Sequence, residues 1–255
     1  MKSVKIVVPI YKSDLDEFEQ MSLKRSMDIL GQHFFSIVCP EGLDITGIET
    51  YLKGVKYEIK RFSPHFFKGI DGYNLFMLSP EFYQTYRDVD YILICQTDVF
   101  VFRDDLQKWC EKNYDYIGAP WIASPQNAWN KTMLTIRNAF NKKKKSDHHF
   151  FKVGNGGFSL RKVKMMHQIM VELESDIEKM LQTRDELKFY QEDVFISLYA
   201  PQFFPEMKIP DYNEAVDFCI DRKPRIAYKI NGNKLPFACH GFNKPKVRAF
   251  WQSKF

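Results

Sequence analysis

Short apolar runs alternate with stretches of helical spacing along the first hundred residues. Positions 4–9 are a β-branched run closing on Pro9 and read as a buried first strand. Positions 17–30 carry helical spacing, with Gly31 as the C-cap. A second strand is expected at 34–39, a short helix at 45–52 and a third strand at 57–61. Positions 73–86 are helical in spacing, divided by Pro80. The run 91–95 is apolar throughout, which marks a central strand covered on both faces. Strands alternating with helices predict an α/β fold with a mostly parallel, doubly wound central sheet flanked by helices. Such sheets bind ligands beyond the carboxyl ends of their strands.

After Pro120 the pattern changes. Residues 121–149 hold scattered aromatics, then Lys142, Lys143, Lys144 and Lys145, then His148 and His149. They predict a long loop with one helix at 132–140 and a mobile stretch at 142–147. From Phe151 order returns, with a strand leading into Gly154-Asn155-Gly156-Gly157 and another at 158–160. Helices are expected at 163–181 and 193–199. Neither an internal repeat nor a domain linker stands out, so 1–255 is expected to be one domain.

Composition narrows the classes. A chain of 255 residues with 45% hydrophobic content can bury a core without disulfides. The five cysteines are odd in number and form no C-x-x-C pair, so reduced thiols are expected, without a zinc site. The apolar stretch near the N-terminus is too short for a signal peptide, and no run reaches membrane-spanning length, which predicts a cytoplasmic protein. The net charge of +5 is partly local to the lysine run. It suits a phosphate-bearing small molecule or an anionic membrane surface and argues against nucleic acid. The lysine run reads foremost as a solvated loop; the sharper alternative is peripheral contact at the inner face of a membrane, holding an anionic lipid-linked acceptor.

Four places carry candidate chemistry. The buried run Tyr91-Ile92-Leu93-Ile94-Cys95 delivers Gln96, Thr97 and Asp98 at its carboxyl end. A carboxylate there suits Mg²⁺ or Mn²⁺, which bind one or two carboxylates together with phosphate oxygens; the plain alternative is a turn cap. Gly154-Asn155-Gly156-Gly157 permits positive φ and close backbone approach, yet matches neither a P-loop nor G-x-G-x-x-G. Glu192-Asp193 opens a helix, where acids serve as capping groups or as a general base. His240 follows an apolar run and precedes Gly241, so it is either structural or a metal ligand.

Together these residues resemble GT-A glycosyltransferases. More closely, the chain resembles a bacterial family of glycosyltransferase-like proteins catalogued as a domain of unknown function. That resemblance rests on Gln96-Thr97-Asp98-Val99-Phe100-Val101-Phe102-Arg103, on Tyr114-Asp115-Tyr116-Ile117-Gly118-Ala119-Pro120-Trp121 and on Gly154 through Arg161. It implies a GT-A fold, with 1–120 as the nucleotide-binding half, 121–150 as a variable loop and 151–255 as the acceptor half. It implies transfer from a nucleotide sugar, UDP-sugars favoured, to a glycan or lipid-linked acceptor in bacterial surface polysaccharide synthesis. Pro9, Ile10, Tyr11, Gly69, Tyr73, Asn74, Gln96, Thr97 and Asp98 would contact the donor. Trp121, Asn155, Gly156 and Gly157 would line the sugar and acceptor pocket, and Asp98 and His240 would hold Mn²⁺ or Mg²⁺. Asp193 or Glu192 would be the base of an inverting enzyme.

One departure stands out: Gln96 occupies the place of the first acid of D-x-D. A neutral amide is a poor ligand for a hard dication, so a catalytically silent sugar- or nucleotide-binding protein is the alternative reading. A nucleotidyltransferase is disfavoured because the loop Tyr11-Lys12-Ser13-Asp14 lacks glycine.

Overall fold

The computed structural model describes residues 1–123, 150–182 and 191–254. Six strands form the main sheet: β1 (Val4–Pro9), β2 (Phe34–Pro40), β3 (Lys56–Phe62), β4 (Tyr91–Cys95), β6 (Tyr116–Ile117) and β7 (Phe158–Lys162). Their order is β3-β2-β1-β4-β7-β6. The first four run parallel, β7 lies antiparallel to β4, and β6 lies antiparallel to β7. A second sheet has the order β5-β9-β8, from β5 (Val99–Val101), β8 (Cys219–Ile220) and β9 (Ala238–His240).

The apolar runs are continuous because both faces of the sheet are covered. Ile6 and Val8 of β1, with Leu93 and Cys95 of β4, face a core that includes Leu23, Met27 and Leu30 of the helix Glu17–Leu30. Val7, Ile92 and Ile94 face the opposite core, with Phe76, Phe82 and Met166. Side chains alternate across a strand, so each run must be apolar at every position to serve two cores. The first core extends through Val99, Phe218, Phe237 and Ala238, so the small sheet shares apolar packing with the large one. The helix Glu17–Leu30 also ties them by polar contacts: Ser22 Oγ donates to Val99 O at 2.5 Å, and Arg25 Nε to Val101 O at 2.8 Å.

The expected strands at 4–9, 34–39, 57–61, 91–95 and 158–160 are present within a residue or two of their ends, and the helices depart further. The helix expected at 45–52 shortens to Thr46–Glu49. The stretch expected at 73–86, divided by Pro80, is divided there, since Ser79 caps Phe82 N and Pro80 starts a new first turn; its first helix, Gly69–Met77, begins earlier than expected, and the second is Pro80–Gln84. The one expected at 163–181 breaks at Leu173 into Val163–Glu172 and Glu174–Gln182. The one expected at 193–199 is a helical turn, Glu192–Val194, followed by a π-helical turn, Phe195–Tyr199. The strand expected ahead of Gly154 is a single bridge between Pro120 and Val153. Gly31 ends its helix in a right-handed conformation, φ −62°. Its value is space, since a Cβ there would lie 2.5 Å from Met27 O.

The helix expected at 132–140 and the lysine run lie outside the described residues. Among the described residues, no helix is long and apolar enough to cross a membrane, and all five cysteines are free and buried.

Arg103, just after β5, pairs with Asp217 of the helix Tyr212–Phe218 at 2.8 Å. Burial alone would raise the Asp217 carboxyl, but Arg103 and Lys108 outweigh it and hold it below the usual carboxylate range. A depressed acid contributes stability above its unfolded pKa of about 4 and loses it as pH falls through the folded value. Asp217→Asn is therefore expected to lower stability at pH 7 by at most about 1 kcal/mol, since both partners are part-exposed. The deficit should shrink toward pH 3, which urea melts at the two pH values would measure.

Candidate functional site

Parallel pairing of β1 with β4 sends both carboxyl ends to the same edge of the sheet. Beyond that edge lies a cavity of about 420 Å³, lined by Pro9, Tyr11, Glu19, Phe67, Gly69, Ile70, Tyr73, Gln96, Thr97, Asp98 and Asn243. Seven of the nine residues expected to contact a donor are in that lining. The other two are set behind it. Ile10 is buried in the core and its N–H bonds Val38 O at 2.8 Å. Asn74 is buried, and its Oδ1 accepts from Glu192 N at 2.9 Å.

Asp98 and His240 meet because β5 and β9 pair antiparallel, with Val99 opposite His240. His240 Nε2 lies 3.1 Å from Asp98 Oδ1, and its Nδ1 lies 3.3 Å from Asp221 Oδ1. Burial opposes a charge on the imidazole; hydrogen bonds to Asp221 and Asp98 outweigh it and raise its pKa to about 9. Asp98 is in turn held below the usual carboxylate range, burial being outweighed by His240. Asp221 also accepts from Asn155 Nδ2 at 3.0 Å. Asn155 is held in the left-handed region, φ +52°, which asparagine tolerates better than most side chains.

The donor set fits a divalent cation held partly by substrate. His240 Nε2 is buried without a well-formed hydrogen bond and points at a carboxylate, while Asp221 holds Nδ1, an arrangement common behind metal-bound imidazole. Among the described residues no group of three His, Cys, Asp or Glu is arranged to hold an ion. Two protein ligands leave room for phosphate oxygens and water, as Mg²⁺ and Mn²⁺ sites do.

Trp121, Asn155, Gly156 and Gly157, expected to line a sugar and acceptor pocket, are outside this lining; the glycine segment instead packs against the polar groups behind it. A Cβ on Gly157 would overlap His240 Nε2 and come 2.7 Å from Gln96 Oε1. One on Gly156 would overlap Glu192 Oε1 and come 2.8 Å from Arg161 Nη2. One on Gly154 would enter the Trp121 ring, which places Trp121 beneath the segment. Glu192 and Arg161 form a buried ion pair, with Nη2 3.1 Å from each carboxylate oxygen. Arg161 also donates to Tyr83 Oη at 2.9 Å and to Ser159 Oγ at 2.9 Å. Burial pushes the Glu192 carboxyl up to about 7, against the pull of Arg161. Burial also raises Asp193, whose carboxylate accepts Val194 N–H at 2.8 Å and faces the N–H groups of Gly156 and Asn155.

Sequence reasoning missed four participants. Asp221 stands at the end of the short strand β8, the placement that made Asp98 conspicuous. Arg161 sat inside a quoted motif without a role. Glu19 was hidden in a helical stretch, where it completes a capping box with Asp16. Lys244, with Nζ 4.0 Å from Asp221 Oδ1, follows His240 by four residues and adds positive charge near Asp98.

Removing one partner of a buried ion pair strands the other, at a cost of about 3–5 kcal/mol. Arg161→Met is expected to lose that much in urea denaturation, and Arg161→Met with Glu192→Leu to recover a large part of it.

Solved structures share the fold. Mouse xyloside xylosyltransferase 1, apo form, aligns over 96% of this chain and 99% of its own, with TM-score 0.59 and 11% identity. The galactosyltransferase LgtC, solved with donor and acceptor sugar analogues, aligns over 92% and 86%, with TM-score 0.57 and 12% identity. An active-site mutant of LgtC gives the same TM-score at 13% identity. At such identities the likeness establishes the fold, which is GT-A. No curated protein matches at a comparable level. Residues 56–240 match the family DUF5672, described as a protein of unknown function, and with that span covering most of its length the chain belongs to this family.

Proposed function

We propose that the protein is a glycosyltransferase that moves a sugar from a nucleotide-diphosphate donor, a UDP-sugar foremost, to a hydroxyl of a glycan or lipid-linked acceptor. The observation that carries this reading is the convergence of Asp98 and His240, backed by Asp221, beside the cavity at the carboxyl edge of β1 and β4. Asp98 Oδ1 and His240 Nε2 would hold a divalent cation, Mn²⁺ or Mg²⁺, whose chemistry is to neutralise charge on a departing diphosphate. Lys244 adds a second positive charge on the same side. Tyr11, Phe67 and Ile70 offer apolar surface to the nucleoside, with Tyr11 and Ile70 exposed at the cavity.

Transfer is an in-line displacement. The acceptor oxygen bonds to the anomeric carbon as the bond to the diphosphate oxygen breaks, through an oxocarbenium-like transition state. The acceptor proton goes to a carboxylate beside Gly156. Glu192 is our choice over Asp193, because burial brings its proton affinity near neutrality while Asp193 is occupied by backbone N–H groups. The configuration at the anomeric carbon then inverts.

Thermal melts with a panel of nucleotide sugars, with and without Mn²⁺, test the donor site. A ligand at a hundred times its Kd stabilises the native state by about 2.7 kcal/mol. One UDP-sugar is expected to raise the melting temperature in the presence of Mn²⁺, and Asp98→Ala to abolish the rise. A rise independent of Mn²⁺ would remove Asp98 and His240 as metal ligands. Gln96 favours the second reading, a silent sugar- or nucleotide-binding protein, and binding without turnover would establish it. Glu192→Gln with unchanged transfer would eliminate the base assignment.

A further inference from the structure

Resting on that reading of the site, we infer that Tyr73 and Gln96 form a neutral hydrogen-bonding wall that selects the transferred sugar, and that the sugar taken is an uncharged, hydroxyl-bearing one. Tyr73 lies on the helix Gly69–Met77 and lines the cavity. Its hydroxyl is shut off from solvent, faces the Gln96 carboxamide and makes no hydrogen bond of acceptable geometry. Leaving a buried hydroxyl unpaired costs about 1–3 kcal/mol, and such a cost in a cavity wall points to a partner supplied by the ligand.

The surroundings say which partner. Gln96 Oε1 sits against Gly157, and the neighbouring Gly156 lies against Glu192 and Arg161 behind the cavity lining. With the diphosphate at Asp98 and His240 and the nucleoside toward Tyr11, the sugar occupies this end. The groups offered there are a phenol, a carboxamide and, behind Gly156, a carboxylate, a set that pairs with sugar hydroxyls. Among the described residues, the cavity lining includes the carboxylates of Glu19 and Asp98 and neither lysine nor arginine. A uronate would bring a further negative charge beside these carboxylates, and the nearest guanidinium, Arg161 behind Gly156, is already paired with Glu192. Gln96, where a second acid would strengthen a metal site, serves the sugar instead.

Tyr73→Phe separates this from a structural role, because it removes a hydroxyl that has no well-formed hydrogen bond to the protein. The variant is expected to melt at or above the wild-type temperature. Isothermal titration of the full chain with Mn²⁺ would compare UDP with UDP-glucose, UDP-galactose and UDP-glucuronate, and GDP with GDP-mannose. Wild type should bind a neutral nucleotide sugar more tightly than its parent nucleotide and than UDP-glucuronate. Tyr73→Phe should weaken the nucleotide sugar about three- to tenfold, the worth of one hydrogen bond, and leave the nucleotide unchanged. Tyr116→Phe is the control: its hydroxyl is likewise buried and unpaired but lies outside the cavity lining, so it should change neither. Equal weakening of nucleotide and nucleotide sugar, no weakening, or a preference for the glucuronate would each overturn the inference while leaving the donor site standing. A wild-type protein that binds no nucleotide and no nucleotide sugar would remove the functional reading and this inference with it.

Discussion

The site depends on the absence of side chains at Gly118, Gly154, Gly156 and Gly157. Each lies against a different group: Gly118 against Gly154 O, Gly154 against Trp121, Gly156 against Glu192, and Gly157 against His240 and Gln96. Steric exclusion is steep, so a methyl at any of these places moves whatever it meets. The segment 154–157 thus acts as a gasket between the large sheet, the small sheet and the helical turn at Glu192. Gly157 O also accepts the Gln96 N–H at 2.9 Å, which fixes the end of β4 relative to the gasket. Among the glycines of the segment and Gly118 none has a positive φ; only Asn155 between them does. Their use is proximity rather than backbone freedom.

That proximity lets two buried charge systems share one wall. On one side His240 lies between Asp98 and Asp221; on the other Arg161 holds Glu192 and reaches Tyr83. Buried charges survive where each is paired and its remaining hydrogen-bonding capacity is met. Arg161 meets this requirement with Ser159, Tyr83 and Glu192 around a fully buried guanidinium. Tyr73, Asn74 and Tyr116 do not: each keeps a buried polar atom without a partner in the same neighbourhood. Three such atoms thus lie near Glu192, on Tyr73, Asn74 and Tyr116, a local concentration of polarity that packing does not require.

Much of this was legible from strand patterns. A run that is apolar at every position demands cover on both faces, and that sufficed to make 91–95 a central strand of a mostly parallel sheet with Asp98 at its carboxyl end; its pairing with β1 is seen only in the structure. The glycine run predicts positive φ and close approach to a ligand; in the structure its glycines have no positive φ, and the close approach is to side chains from positions 96, 121, 161, 192 and 240. The small sheet escaped because its strands have two or three residues each, too few to show a period. Asp221 and its hold on His240 escaped with it, since the pairing of β8 with β9 brings them together. Helix ends were misjudged where local groups override spacing: Ser79 and Pro80 restart a helix, and Leu173 interrupts one.

The charge around His240 links the departure at Gln96 to the rest of the design. A protonated His240 between the carboxylates of Asp98 and Asp221 leaves the three side chains with an excess of negative charge, with Lys244 close by to offset it. A second acid at position 96 would add another negative charge beside Gly157, where a Cβ would meet both Gln96 Oε1 and His240 Nε2. Like charges in a poorly solvated site push one another toward protonation. The carboxamide keeps the shape of a glutamate without that repulsion and offers a donor as well as an acceptor. On the proposed reading, the carboxamide would favour groups that share hydrogen bonds over a dication, and the Tyr73 hydroxyl that faces it would favour the same groups.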